Sequence, residues 1–124
     1  MISYEVYKVL HLVAVMLLFV CFGGLALYVA AGGTRDANPN RKLIPALHGT
    51  AAFLVLLAGF GLLARLELVQ GGFPLWVWLK LTIWALLALA VMLPYRRPGL
   101  ARPLFLLYPV LGGVAAWAAI YKPD

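Results

Sequence analysis

The feature of this sequence that most restricts its fold is a series of four long apolar segments with short connections between them. The segments cover about residues 4–31, 43–66, 74–94 and 102–121. A helix needs about 20 apolar residues to cross the ~30 Å hydrocarbon core of a bilayer, and of the 124 residues 65% are hydrophobic and only 11% are charged. We therefore predict an all-α polytopic membrane protein in which residues 1–124 form one domain, an up-and-down bundle of four transmembrane helices.

The basic residues predict how the chain lies in the membrane. The connections after the first and third segments carry six of them: Arg35, Arg41, Lys42, Arg96, Arg97 and Arg102. The opposite end carries Lys8, Arg65 and Lys122. Because Lys and Arg are enriched in cytoplasmic connections, we predict that both termini are extracytoplasmic, in a cytoplasmic membrane of the bacterial type. This pattern accounts for the net charge of +6, so the lipid bilayer is expected as a partner and nucleic acid is not.

The apolar segments lack the residue patterns on which three other classes of small membrane protein depend. Cys21 is the one cysteine, which excludes a disulfide or a dithiol relay within this chain. No Asp or Glu lies near the centre of a segment, whereas proton-coupled multidrug exporters use an embedded carboxylate. The three methionines are not clustered, as a copper path would require. The sequence therefore fits none of these three classes.

Two ionisable residues lie inside apolar segments at matching depths. His11 is in the first segment and Lys80 is in the third, and in an up-and-down bundle these segments point the same way. Each residue lies roughly two turns from the same membrane face, about 10 Å deep at ~1.5 Å per residue. Ionisable residues inside a membrane usually have a partner or a function. We therefore predict that His11 and Lys80 share one pocket.

Each of these two residues has a functional and a structural interpretation. His11 is a haem ligand or a proton carrier, or else a structural histidine that bonds a neighbouring helix or contacts interfacial water. Lys80 binds an anionic group such as a haem or porphyrin propionate, or else extends its ammonium to the headgroups. An imidazole and an ammonium at one depth suit a single amphiphilic ligand, with His11 on the metal.

Three nearby residues would complete such a site. Lys8 is a second cation for the ligand or, in the alternative interpretation, a surface charge. Trp76 and Trp84 lie on the same stripe of the third segment as Lys80. Each tryptophan either stacks on a ring-shaped ligand or belongs to the aromatic belt at the membrane interface.

His48 enters the membrane from the opposite face, well over 10 Å from His11 in depth at ~1.5 Å per residue. The two histidines therefore cannot bind one iron from both sides. His48 is a second cofactor-binding site, a lone ligand, or a histidine at the start of a helix that bonds nearby backbone. We favour the last interpretation.

Four stretches of the sequence resemble one known family. They are YKVLHLVAVMLLFVCFGGLALY, RKLIPALHGTAAFLVLLAGFGLL, WVWLKLTIWALLALAVMLPYR and the YKP that closes the last segment. Together they are similar to the HemJ-type protoporphyrinogen oxidases and the related CopD-like integral membrane proteins. By this resemblance, the following residues correspond to positions that the family uses: Lys8 and His11, Gly23-Gly24, Trp78 to Lys80, and Lys122-Pro123.

The resemblance implies a helical membrane bundle that binds b-type haem or a porphyrin near the extracytoplasmic face through His11 and Lys80, with a redox role. The sequence departs from the family pattern at ALYVAAGG, which ends the first segment, and at Leu107-Tyr108 in the fourth. Oxidation of a porphyrinogen needs a base, and no embedded carboxylate is present to act as one. Oxidoreductase activity of the protoporphyrinogen oxidase type therefore stays open.

A second hypothesis is a small accessory or structural subunit of a larger membrane complex, without a cofactor of its own. The small residues of the fourth segment, among them Gly112 and Gly113, would allow close helix packing within a homo-oligomer or against a larger partner. The visible spectrum of the purified protein distinguishes the two hypotheses, because a haem protein is coloured by itself.

Overall fold

The fold is known from a computed structural model that describes residues 2–66 and 71–122. All regular structure in these residues is helical, which confirms the all-α prediction. The helices are α1 (Tyr4–Ala30), α2 (Leu43–Leu66), α3 (Leu75–Ala90), α4 (Leu93–Arg96) and α5 (Ala101–Tyr121), and a 3-10 turn, Pro98–Leu100, precedes α5.

Three segments of the described chain are long and apolar enough to cross a bilayer: Tyr4–Ala30, Leu43–Arg65 and Pro98–Tyr121. Helix α3 is apolar but has only 16 residues, about 24 Å at ~1.5 Å per residue. That length falls short of the ~30 Å hydrocarbon core. The predicted bounds of the first, second and fourth segments agree with α1, α2 and α5 to within one residue.

The prediction of one uninterrupted third helix over residues 74–94 is wrong. The helix ends at Ala90, and Pro94 lies in the first turn of the separate four-residue helix α4. Proline has no N–H to donate to the carbonyl four residues earlier, and its ring collides with that carbonyl. For Pro94 this is the carbonyl of Ala90, the residue at which α3 stops.

The first helix ends just before a pair of glycines, Gly32 and Gly33. Gly32 has a φ of +96°, a conformation that residues with a side chain rarely adopt. In this conformation its N–H donates to the carbonyl of Val29 at 2.9 Å, and the N–H of Gly33 donates to that of Tyr28 at 3.0 Å. These bonds use carbonyls of the last turn that the helix itself leaves without partners.

Neighbouring helices run antiparallel and surround a common interior. Helix α1 packs on α2 and α5, and α3 packs on the same two helices. Residue numbers rise along one helix as they fall along its neighbour. Between α1 and α2, His11 lies by Val55 and Tyr7 by Gly61, and between α3 and α5, Leu87 lies by Tyr108 and Trp76 by Lys122. Trp84 of α3 lies by Ala52 of α2, and Phe19 of α1 lies by Gly112 of α5. Within the described residues, the backbones of α1 and α3 do not approach each other, so they lie on a diagonal.

The best-packed part of the interior lies in the middle of the helices and towards the α1–α2 connection. Its fully buried side chains include Leu18 and Phe22 of α1 and Ala51 of α2. The small size of Ala51 lets α2 approach α1 closely. The other buried members of this cluster are Ala26, Ala52, Ile83, Leu87, Ala90 and Tyr108.

A buried polar chain crosses this apolar cluster. The Tyr108 hydroxyl of α5 donates to the carbonyl of Leu87 in α3 at 2.9 Å, and Nε2 of His48 in α2 lies 2.7 Å from the same hydroxyl. Because the single phenolic hydrogen is used on Leu87, Nε2–H of His48 is the donor to Tyr108. The Phe22 ring of α1 stacks on Tyr108 with centroids 4.0 Å apart. This cluster therefore joins α1, α2, α3 and α5.

Replacing Tyr108 by Phe should destabilise the protein by about 1–2 kcal/mol, because the buried His48 N–H loses its acceptor. The free energy of unfolding of the detergent-solubilised protein, measured by titration with SDS, tests this. Tyr121→Phe is the matched control, since Tyr121 is exposed at the end of α5. Equal stabilities of the two variants would contradict the role given to Tyr108.

Two adjacent glycines of α5 provide a second test of the packing. A Cβ on Gly112 would overlap the Phe19 ring of α1, whereas a Cβ on Gly113 would meet nothing within 4 Å. We expect Gly112→Ala to lower the free energy of unfolding by about 1–3 kcal/mol through overpacking. Gly113→Ala should leave it unchanged or raise it slightly, since alanine has the higher helix propensity. The SDS titration measures both variants, and a Gly112→Ala variant as stable as Gly113→Ala would show that α1 and α5 do not pack this closely.

Candidate functional site

A cavity of about 610 Å³ lies between the helices at the end that carries the start of α1 and the end of α5. Side chains from α1, α2, α3 and α5 all line it. Its volume is within the ~300–1,000 Å³ range of small-molecule and cofactor sites. His11, Lys80, Lys8, Trp76 and Trp84 are all among the lining residues, so five of the six predicted site residues lie around one space.

The imidazole of His11 is held by the backbone of α2. Its Nδ1 lies 3.0 Å from the carbonyl oxygen of Val55. A carbonyl can only accept, so Nδ1 carries the hydrogen and Nε2 of the neutral ring keeps its lone pair. No described residue bonds Nε2, and no buried polar side-chain atom of the described chain lacks a partner, so Nε2 keeps access to the cavity.

The imidazole lies against α2 at Gly59. A Cβ at position 59 would lie 3.4 Å from Cε1 of His11, an ordinary van der Waals contact, so an alanine would fit there. In a helix, the N–H of Gly59 also points to the carbonyl of Val55. The carbonyl therefore serves both the helix and His11, using its two lone pairs.

Three lysines give the cavity a positive charge. Lys8 and Lys122 are exposed at its mouth, and Lys80 is half-buried farther in. Lys80 and His11 line this space together with the two exposed lysines. Among the described residues, none that lines the cavity is acidic. Like charges that share a low-dielectric space repel strongly, and an anionic ligand group would relieve that repulsion.

Both predicted tryptophans line the cavity and are fixed in place. Trp84 donates its indole N–H to the carbonyl of Ala52 in α2 at 2.8 Å. Trp76 is buried, and the Lys122 ammonium lies 5.6 Å from its ring centroid. Both interpretations of Trp76, contact with a ring-shaped ligand and membership of the interface belt, stay predictions, and the neighbouring Trp78 is 56% exposed and suits such a belt.

His48 is separate from this site. It does not line the cavity, its side chain is buried, and its Nε2 bonds the Tyr108 hydroxyl. The favoured interpretation, a histidine bonded to nearby backbone, is thus corrected: its partner is a side chain 60 positions away on another helix. Nε2 is used in this bond, so the ring position that most often binds a metal is engaged in the fold.

A metal site made from side chains alone does not fit this cavity. The described residues contain no group of three or more His, Cys, Asp or Glu side chains that could hold an ion. A macrocycle that brings four nitrogen ligands of its own needs only one further ligand from the protein, and Nε2 of His11 is a nitrogen with its lone pair unused. Histidines that bind metals generally donate their other N–H to a carbonyl, carboxylate or water, as Nδ1 of His11 does here.

Several groups that form the site and its surroundings have no role predicted from the sequence. Tyr108 differs from the pattern of the resembled family, and Lys122 is a charge at one membrane face and a position that the resemblance includes. The Val55 carbonyl carries no sequence signal at all, because every residue has one. An isolated tyrosine inside an apolar segment was the available signal for Tyr108, since a hydroxyl within a bilayer needs a partner.

Comparison of the chain with protein-family models, curated proteins and solved structures found no match. The resemblance of the sequence to the HemJ-type and CopD-like proteins therefore stays a prediction. The function has to be argued from the cavity itself, from His11 and from the lysines around it.

Proposed function

We propose that this chain is a four-helix membrane protein that binds b-type haem or a related porphyrin in the cavity near its extracytoplasmic face. In this proposal His11 is the axial ligand, Lys80 and Lys8 pair with propionates, and Trp76 and Trp84 contact the macrocycle. The sequence resemblance to HemJ-type and CopD-like proteins points in the same direction.

The observation that carries the proposal is the hydrogen bond from Nδ1 of His11 to the carbonyl of Val55. It fixes the tautomer and the direction of the ring, and leaves Nε2 as the atom that can bind iron. A purely structural histidine in lipid would be expected to use both nitrogens, because an unpaired polar group is costly there.

The distribution of charge around the cavity suits a ligand with an apolar body and an anionic edge. Lysine side chains lie at and just inside the mouth, while Ile83, Trp84 and Leu87 line the deeper part. A porphyrin bound with its propionates towards the mouth would place its carboxylates by Lys80 and Lys8. The same orientation would keep the macrocycle away from water.

The arrangement in the membrane rests on the third segment as well as on the three long helices. From Leu75 to Arg96 the broken pair α3 and α4 extends over enough residues to cross a bilayer despite the interruption at Pro94. Non-helical backbone at membrane depth is tolerated where protein covers it, and Pro94 is buried. The excess of arginine around Arg35 and Arg97 favours a cytoplasmic location for that end, which leaves both termini outside.

A redox role follows if the bound group is haem, since iron in a porphyrin changes oxidation state by one electron. The chain's own part would be to hold the ring and to keep water away from it. His11 would hold the iron through Nε2, and the apolar side chains around Trp84 would lower the local dielectric. Both factors tune the reduction potential of a bound haem.

Purified in detergent and supplied with haem, the protein should show a Soret band that His11→Ala abolishes or shifts. Added imidazole should restore the band in His11→Ala, because the small ligand can occupy the space of the lost side chain. His48→Gln is the control: it removes the other imidazole and should lower stability but keep the wild-type spectrum. A wild-type protein without a Soret band after haem addition would reject the proposal.

An accessory subunit is the second candidate, and the surface of α5 is the observation that favours it. Val110, Trp117 and Ile120 are exposed apolar residues of this helix, and the exposed Gly113 beside them makes the surface smooth enough for another helix. Such a subunit, or a homo-oligomer built on the same surface, should survive mild detergent as a larger particle. Gly113→Leu should dissociate that particle, whereas a ligand-binding monomer should be unaffected.

A further inference from the structure

Lys122 occupies an unusual position at the mouth of the cavity. It ends α5 in the left-handed conformation, with φ 49° and ψ 58°, and its N–H donates to the carbonyl of Ala118 at 2.8 Å. Lysine adopts this conformation less readily than glycine or asparagine. The conformation turns the chain so that the Lys122 side chain lies over Trp76.

Within the described residues, the ammonium of Lys122 has two contacts. Its Nζ donates to the carbonyl of Ala119 at 2.9 Å and lies 5.6 Å from the centroid of the Trp76 ring. Because Lys122 is exposed, its cation–π contact contributes about 0.5–1 kcal/mol, its bond to the carbonyl competes with water, and its long side chain has many alternative rotamers. The ammonium can therefore leave this position at little cost when a stronger partner arrives.

Lys122 and Lys80 line the same space from two neighbouring helices. Lys122 follows α5 and Lys80 lies in α3, and these two helices pack on each other. Two ammonium groups that face one space are suited to bind one or two carboxylates between them. Trp76, against which Lys122 rests, is itself a lining residue, so movement of Lys122 would also open the ring face to a ligand.

We propose that Lys122 is a movable clasp that exchanges its contact with Trp76 for the carboxylate head of an amphiphile when one binds in the cavity. This inference rests on the proposed function and deepens it, because it assigns a specificity-determining cation to the same cavity. It commits the ligand to a class: a flat or elongated apolar body with carboxylate on the edge that faces the mouth.

The test compares metal-free protoporphyrin with its dimethyl ester, which has the same ring without the carboxylates. Neither form requires coordination by His11, so the lysines are tested separately from the axial ligand. The protein is placed in nanodiscs of zwitterionic lipid, and binding is followed by porphyrin fluorescence. Lys122→Asn removes the charge but suits the left-handed conformation, and Lys122→Arg keeps the charge.

We expect Lys122→Asn to weaken binding of the diacid roughly fivefold, as loss of a partly exposed charge pair does, and to leave binding of the ester unchanged. Lys122→Arg should retain most of the wild-type affinity. Arg65→Gln is the matched control, because Arg65 is an exposed cation at the same end that does not line the cavity. Equal losses for diacid and ester, or no loss for the diacid, would overturn the clasp.

A second experiment separates rejection of the clasp hypothesis from rejection of the proposed function. If neither porphyrin binds the wild-type protein, porphyrin binding is rejected, and a fluorescent fatty acid in the same nanodiscs then decides the role of Lys122. Fatty-acid binding that weakens in Lys122→Asn and not in Arg65→Gln supports the clasp with a lipid as the ligand. No fatty-acid binding, or equal binding by all variants, overturns it.

Discussion

The hydrogen bonds that join His48, Tyr108 and Leu87 are the interaction on which the arrangement of the helices depends. In an apolar environment the general hydrophobic drive for helix association is weak, and packing and polar contacts decide which helices meet. This chain of bonds links α2, α5 and α3, and Phe22 of α1 covers it by stacking on Tyr108. These contacts hold the four helices together near the middle of the bundle and towards the α1–α2 connection. The open space between α1 and α3 therefore lies at the other end of the bundle.

The cavity lies directly beyond this cluster, and its chemistry follows from its position. Leu87 accepts the bond from Tyr108 and also lines the cavity. Towards the mouth, the lining changes from apolar side chains to the ammonium groups of Lys80, Lys8 and Lys122. Like charges in one space repel each other, and no described residue that lines this space is acidic. Such an arrangement is more easily understood as a binding site for an anionic amphiphile than as a contribution to the stability of the fold.

Much of the fold could be predicted from the sequence because the signals that define it are local. The lengths of α1, α2 and α5 follow from the lengths of the apolar segments, and the end of α1 follows from Gly32. The third helix was predicted too long, although Pro94 was visible, because a proline acts on the carbonyl four residues before it and so shortens the helix as far as Ala90. Matching depth was enough to place His11 and Lys80 at one end of the molecule.

The amino-acid sequence by itself therefore determined that the chain is helical and apolar, where most of its helices begin and end, and at which depth its ionisable groups lie. Only the tertiary structure decided which way those groups face, because helices that are apolar all round carry no polar face from which rotation about the helix axis can be read. The contact of His11 with the Val55 carbonyl, the bond of His48 to Tyr108 and the position of Lys122 over Trp76 each join residues from distant parts of the chain. Such contacts form only when the helices pack, because they depend on distances between helices that no local sequence pattern specifies.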